Sequence, residues 1–149
     1  MAHCYTISKT IPNNLSLASR CLKVAKWEAE NVLKCLKPGE ELQQPINIAE
    51  ICFNLSQIKF TLGKKDKALA LIDESITHGH NDLLKKETYL TEFRQSLNDW
   101  EKEQFYLGLV HEALNFLVRL YWTKSNYLDS LFLYENSLQN YDFALSFIT

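Results

Sequence analysis

The distribution of proline most constrains what this chain can fold into. Its three prolines all lie before Ile46, so about a hundred consecutive residues contain none. Proline is the strongest helix breaker, because it has no backbone N–H and its ring clashes with the preceding turn. Apolar residues recur at three- and four-residue intervals through the same stretch, which is helical spacing. The sequence therefore predicts an all-α protein.

The clearest helical hairpin lies between Ile48 and Ile76. One apolar stripe leads up to a short break at 63–66, and a second stripe follows it over 68–76. Asp66 is suited to cap the second helix. Two amphipathic helices joined by so short a connection must lie antiparallel and bury their facing stripes.

This hairpin resembles a tetratricopeptide repeat, a family of helix-turn-helix arrays. The resemblance depends on small residues where helices cross, large residues beside them and a glycine at the turn: Leu55, Ser56, Gly63, Ala68, Ile72 and Ser75. Small residues let two backbones approach, while large residues fill the flanking space. Two positions depart from the pattern, since Cys52 and Lys59 stand where aromatic residues are usual.

A second unit of the same kind is predicted over 111–138. In its first helix, Leu117 and Val118 correspond to Leu55 and Ser56, and Tyr121 stands where an aromatic residue is usual. In its second helix, Ser130, Tyr134 and Ser137 correspond to Ala68, Ile72 and Ser75. The offset is 62 residues in each case, for example 130 minus 68. Two standard units would give roughly 68, so the unit between them is predicted to be short.

From these patterns we expect about seven helices stacked as a short right-handed solenoid in a single domain, 1–149. Its parts are a leading helix at 13–37, a first repeat-like unit at 46–79, an irregular unit at 82–110, the second repeat-like unit at 111–138 and a terminal helix at 140–149. Gly79 is predicted to end a helix, and 123–126 to break another. Segment 99–123 is one helix or two with a break near Gly108; we favour one.

Composition narrows the class of function. A net charge of −2 gives no electrostatic footprint for nucleic acid. None of the four cysteines forms a CxxC pair, and buried thiols in a reducing compartment explain them best. The start of the chain has no apolar signal segment, and no apolar run is long enough to span a membrane. We expect a cytoplasmic protein, with the nucleus as the other compartment, that contacts neither nucleic acid nor membrane.

The sequence discloses no reaction. It has no glycine-rich phosphate loop, no nucleophile elbow and no HExxH motif. The metal-like residues are His78, His80 and Asp82, and we interpret them as part of a surface loop. We therefore expect no enzyme, catalytic residue, metal or cofactor. An enzyme with an unrecognised site is the alternative.

The resemblance implies a binding groove lined by the first helix of each unit. Carried onto this chain, the groove residues are Glu50, Phe53, Asn54, Gln57 and Phe60 from the first unit and Glu112, Asn115, Phe116, Arg119 and Trp122 from the second. Aromatic residues and arginine commonly anchor interfaces. Side-chain amides bond the backbone of an extended peptide.

We therefore expect a non-catalytic interaction module that binds a protein segment or peptide. Two alternatives stay open: a peptide-sensing regulator of the bacterial quorum-sensing receptor type, and a fragment of a larger helical scaffold. The apolar end, 144–149, is expected to pack back onto the array; the alternative is a docking surface for a partner or a second copy, giving a homodimer or larger complex.

Overall fold

A computed structural model describes residues 12–37, 47–96, 100–131 and 134–148. These residues form five helices, named here in chain order: α1 Pro12–Cys35, α2 Ile48–Thr61, α3 Lys65–Ser96, α4 Trp100–Ser130 and α5 Tyr134–Ser146. The described ranges contain no strand, so the all-α prediction is confirmed. The predicted connecting loop at 40–45 lies outside the described residues. The chain divides into two compact units, Met1–Ser75 and Ile76–Thr149.

In the first unit, α1 packs antiparallel to α2. The start of α1 and the end of α2 share one buried cluster: Leu15, Ala18, Leu22, Leu55 and Ile58. Farther along α1, Ala29 is clustered with Ile48 and Cys52 from the start of α2. Lys26 of α1 also forms a salt bridge with Glu74 of α3, at 3.0 Å.

The turn that joins α2 to α3 contains Gly63 as predicted, but α3 begins at Lys65, so Asp66 lies within its first turn and does not take the predicted cap position. Gly63 has φ +80°, a left-handed conformation that glycine adopts without steric cost. The Leu62 N–H donates to the Ile58 carbonyl at 3.0 Å, and the Lys64 N–H donates to the Lys59 carbonyl at 2.9 Å. The chain therefore reverses between α2 and α3.

Small residues mark the close approach of α2 and α3, as predicted. Ala68 and Ser75 have no exposed surface. The Ser75 hydroxyl donates to the Ala49 carbonyl at 2.6 Å, so its polar group is satisfied within the core. Ser56, also fully buried, donates to the Phe53 carbonyl within its own helix at 2.7 Å.

In the second unit, α3 from Ile76 onward runs antiparallel to α4. Near the connection, the Arg94 guanidinium lies 2.7 Å from a Glu103 carboxylate oxygen. Farther away, the Gly79 backbone lies against the Leu117 and Leu120 side chains. The pairing therefore extends over about four helical turns of α3.

α4 and α5 form the second hairpin of this unit. The Ser125 hydroxyl donates to the Ser137 carbonyl at 3.2 Å, and the Ser137 hydroxyl donates to the Ser125 carbonyl at 3.1 Å. Both serines are buried. Reciprocal bonds of this kind satisfy both hydroxyls while the two backbones remain close.

Three predicted helix breaks, at Gly79, at 123–126 and between 138 and 140, lie inside continuous helices. One boundary that was not predicted separates α4, which ends at Ser130, from α5, which begins at Tyr134, so the described ranges contain five helices where about seven were expected. Gly79 is buried within α3, where its missing side chain makes room for α4 rather than ending a helix. Residues 123–126 belong to α4. Ser125, one of these residues, is hydrogen-bonded to Ser137 of α5. The structure also has one unbroken helix at Gly108, the alternative that we favoured.

Buried small residues recur at a spacing that differs from the predicted offset of 62. They are Ser56 and Ser125, Ala68 and Ser137, and Ser75 and Ala144, each pair 69 residues apart, for example 125 minus 56. The starts of α3, α4 and α5 are correspondingly 35 and 34 residues apart. The predicted offset of 62 is wrong, because it places Ser130 at the start of a helix, whereas Ser130 ends α4 and is only half-buried.

Candidate functional site

The second row of predicted binding residues lies on one face of α4. Glu112, Asn115 and Arg119 are exposed, Phe116 is half-buried and Trp122 is 49% exposed. The opposite face supplies core residues: Val110, Ala113, Leu117 and Leu120. α4 is therefore amphipathic here, with a mixed polar and aromatic face left in solvent.

Trp122 is held in place by α5. Its ring meets the Tyr141 ring edge-on, with centroids 4.6 Å apart. The Tyr141 hydroxyl is the donor toward two acceptors, Asn126 Oδ1 at 2.7 Å and Asp129 Oδ2 at 3.1 Å. Burial and the bond to Asp129 raise the pKa of Tyr141, so its hydroxyl keeps its proton. These contacts fix the tyrosine, and the tyrosine in turn limits how the indole can move.

A second aromatic group adjoins Trp122 through its chain neighbour Tyr121. The Tyr121 ring stacks on Phe143 and on Phe147, at centroid distances of 5.7 and 5.8 Å. Its hydroxyl is 2.7 Å from His80 Nε2. Phe143 is 58% exposed. Phe147 thus packs onto α4, but Leu145 and Ile148 are 51% and 67% exposed, so the expected packing of the apolar end is seen only in part. The α5 aromatic surface beside Trp122 stays open.

The first row of predicted residues lies on α2, in the other unit. Glu50 and Gln57 are exposed, while Asn54 and Phe60 are half-buried. Asn47 accepts a hydrogen bond from the Glu50 N–H at 3.0 Å and donates to its carboxylate at 3.4 Å. Glu50 therefore already acts in a reciprocal cap at the start of α2.

Phe53 does not belong to a binding surface. It is only 4% exposed and contributes to the core of the first unit. The resemblance placed it in the groove with Gln57 and Phe60, but an α2 packed on two sides buries more than one stripe. Phe60 keeps part of its ring accessible, with the Lys65 ammonium 5.9 Å from its centroid.

The histidine-rich segment is helical, which corrects its interpretation as a surface loop. His78, His80 and Asp82 all lie within α3. His80 is hydrogen-bonded to Tyr121. Among the described residues, no group of three or more His, Cys, Asp or Glu side chains is arranged to hold a metal ion.

Tyr141 and Phe143, the two α5 residues that shape the aromatic surface, were not predicted from the sequence. A helix break was predicted before Tyr141, which hid the four-residue spacing of this residue from Ser137. With α5 starting at Tyr134, that spacing puts Tyr141 on the face that meets α4. Phe143 does not share this spacing, and it contacts α4 through Tyr121.

In the described ranges, no helix is long and apolar enough to cross a membrane. No protein-family model, curated protein or solved structure matched the chain.

Proposed function

We propose that this chain is a non-catalytic interaction module that binds a segment of another protein along the α4 face formed by Glu112, Asn115, Phe116, Arg119 and Trp122. One observation carries the proposal: Trp122 is half-exposed, yet its ring is braced by Tyr141. An aromatic side chain that is already ordered loses little rotamer freedom when a partner covers it.

The chemistry of this face favours a peptide segment as the ligand. Tryptophan and arginine are the residue types most enriched among energetically dominant contacts. The Asn115 amide has both a donor and an acceptor, which suits a peptide backbone. From Glu112 to Trp122 the helix rises roughly 15 Å, about the length of five residues of extended chain. We expect a short segment with an apolar side chain over Trp122 and an acidic one near Arg119.

We further propose that the hairpins are tetratricopeptide-like repeats. Buried small residues at equivalent places in the two units and helix starts 35 and 34 residues apart support this proposal. In that family the period is about 34 residues.

The test uses the whole chain and a peptide selected against it from a random library of eight-residue segments. Affinity is measured by calorimetry for the unaltered protein, for Trp122→Ala and for the control Trp100→Ala. Trp100 lies on the same helix and is 71% exposed. We expect Trp122→Ala to weaken binding by at least about tenfold, as for a dominant interface residue, and Trp100→Ala to change it by less than about twofold.

Circular dichroism checks that both variants keep their helicity. If the two tryptophan variants lose equal affinity for the peptide, or if neither loses affinity, the α4 face is not the binding surface. If only Trp100→Ala loses affinity for the peptide, the binding surface lies at the start of α4.

A further inference from the structure

The outer face of α1 carries an apolar stripe. Leu17, Val24 and Trp27 are 40%, 55% and 64% exposed, and they lie at positions i, i+7 and i+10 of the helix. This spacing places all three on one side of α1, while the core residues Ala18 and Leu22 lie on the opposite side. The outer face of a surface helix is normally polar, so exposed apolar residues in line indicate a contact surface.

The same spacing recurs on α5. Leu138, Leu145 and Ile148 are 63%, 51% and 67% exposed, again at positions i, i+7 and i+10. The Ile148 N–H donates to the Leu145 carbonyl at 3.0 Å, so a final turn carries Ile148 just beyond Ser146, the last residue of the helix. Each α5 residue lies 121 positions after its counterpart in α1, for example 145 minus 24. The two stripes therefore have the same pattern and nearly the same length.

In α3, apolar residues of the matching positions are covered by the rest of the chain. Counting back 69 residues, the spacing at which the buried small residues recur, leads from Leu145 to Ile76 and from Leu138 to Leu69. Ile76 is 8% exposed and Leu69 is half-buried. The α5 leucines are exposed, so α5 presents to solvent an apolar surface of the kind that is packed in α3.

The two stripes carry opposite charges. Arg20 lies three residues after Leu17 and is exposed within the α1 stripe. Asp142 lies four residues after Leu138 and is exposed beside the α5 stripe, and residues 134–146 contain two acidic residues and no basic one. If two such helices lie parallel with Leu17 level with Leu138, Arg20 and Asp142 stand roughly 4.5 and 6 Å along their axes. That difference in height is small enough for a charge-assisted hydrogen bond.

We propose that the α5 stripe of one copy of this chain binds the α1 stripe of a second copy, with the two helices parallel. Two α5 stripes facing each other would instead bring like charges together, which disfavours a symmetric α5 dimer. The contact joins two different surfaces, so each copy in a pair keeps one unused stripe and larger assemblies form as the concentration rises. The contact contains one ion pair, Arg20 with Asp142, and three apolar pairs: Leu17 with Leu138, Val24 with Leu145 and Trp27 with Ile148.

Sedimentation velocity of the full chain tests this association from about 1 µM to about 500 µM, because a contact between two short helices is small and a micromolar Kd is expected. The unaltered protein should pass from monomer to dimer and then to larger species. Trp27→Glu disrupts the α1 stripe and Leu138→Glu the α5 stripe, so each variant alone should stay monomeric. The control is Trp100→Glu, at a position on α4 that is 71% exposed, and it should associate like the unaltered protein.

Mixing the two variants distinguishes this contact from a symmetric one. Leu138→Glu keeps an intact α1 stripe and Trp27→Glu keeps an intact α5 stripe, so an equimolar mixture should form dimers and no larger species. Dimers in the mixture also show that both variants are folded. A single variant that still dimerises overturns the proposal, because one stripe then binds its own copy. A mixture of helical variants that stays monomeric, or an unaltered protein that stays monomeric at the highest concentration, overturns it as well.

A charge exchange tests the parallel alignment of the two helices. Arg20→Asp and Asp142→Arg each place like charges at the contact, so each should weaken self-association by at least about tenfold. The double variant restores an opposite pair and should recover most of the lost affinity. If the double variant associates no better than the single variants, Arg20 does not meet Asp142 and the proposed pairing is wrong.

Discussion

Replacing Gly79 by alanine tests whether this glycine serves the packing of α3 on α4. A methyl group there would lie 2.9 Å from Leu117 Cδ2 and 3.3 Å from Leu120 Cδ1. Both leucines have no exposed surface, so neither side chain can move without displacing other core atoms. Inserting a carbon into a filled core typically costs about 1–3 kcal/mol.

Gly108 provides the matched control. It lies inside α4, in the same unit, and a methyl group there would meet nothing within 4 Å. Glycine to alanine inside a helix stabilises by roughly 0.5–1 kcal/mol, because glycine loses more backbone entropy on folding. Both variants gain this amount, so the difference between them isolates the packing cost. We expect Gly108→Ala to stabilise by about 0.5–1 kcal/mol and Gly79→Ala to destabilise by about 1 kcal/mol.

Urea unfolding followed by circular dichroism at 222 nm measures both free energies, provided the slopes agree among the proteins. A third protein, Gly79→Ala with Leu117→Ala, should show favourable coupling, since the shortened side chain removes the nearest contact. If Gly79→Ala proves as stabilising as Gly108→Ala, the close approach of α3 and α4 at this position is refuted.

Ser137→Ala should cost about 1 kcal/mol through the lost bond to Ser125, and Ser137→Val more, through crowding at the helix crossing; thermal unfolding distinguishes them. Because the folded pKa of Lys59, about 8, lies below the ordinary 10.5, the unfolded chain binds more protons between these values. The Lys59 contribution to stability should therefore rise with pH across that window and vanish in Lys59→Met, as urea midpoints would reveal. Burial raises the pKa of the Cys52 thiol to about 12, whereas the Cys35 side chain is exposed. A disulfide reagent should therefore modify Cys35 in the native protein and Cys52 only after unfolding.

The first hairpin could be predicted from local signals because they agree with the packing. Gly63 adopts the left-handed conformation that its place in the turn suggested. Ala68 and Ser75 are buried where the resemblance required small residues. Here the turn residue, the apolar stripes and the crossing residues all specify the same structure.

The second hairpin was misplaced because its break signals are overridden by tertiary contacts. Ser125 and its neighbours favour turns in isolation. In the folded chain Ser125 is hydrogen-bonded to the buried Ser137 of α5, and this contact stabilises the helical conformation. Gly79 is typical of a helix end. Its role as a small residue that lets α3 approach α4 depends on the position of Leu117, which local sequence does not specify. Phe53 shows the same limit at the candidate site, because a resemblance over one helix does not say how many of its stripes meet a neighbour.

The exposure of the three tryptophans has a spectroscopic consequence. Trp27, Trp100 and Trp122 are 64%, 71% and 49% exposed, so native emission should already resemble that of indole in water. Unfolding in urea should shift the emission maximum very little, which makes intrinsic fluorescence a weak reporter of denaturation. A ligand that covers Trp122 removes water from the most sheltered of the three rings. A blue shift in the folded protein should therefore report occupancy, and Trp122→Ala should abolish it.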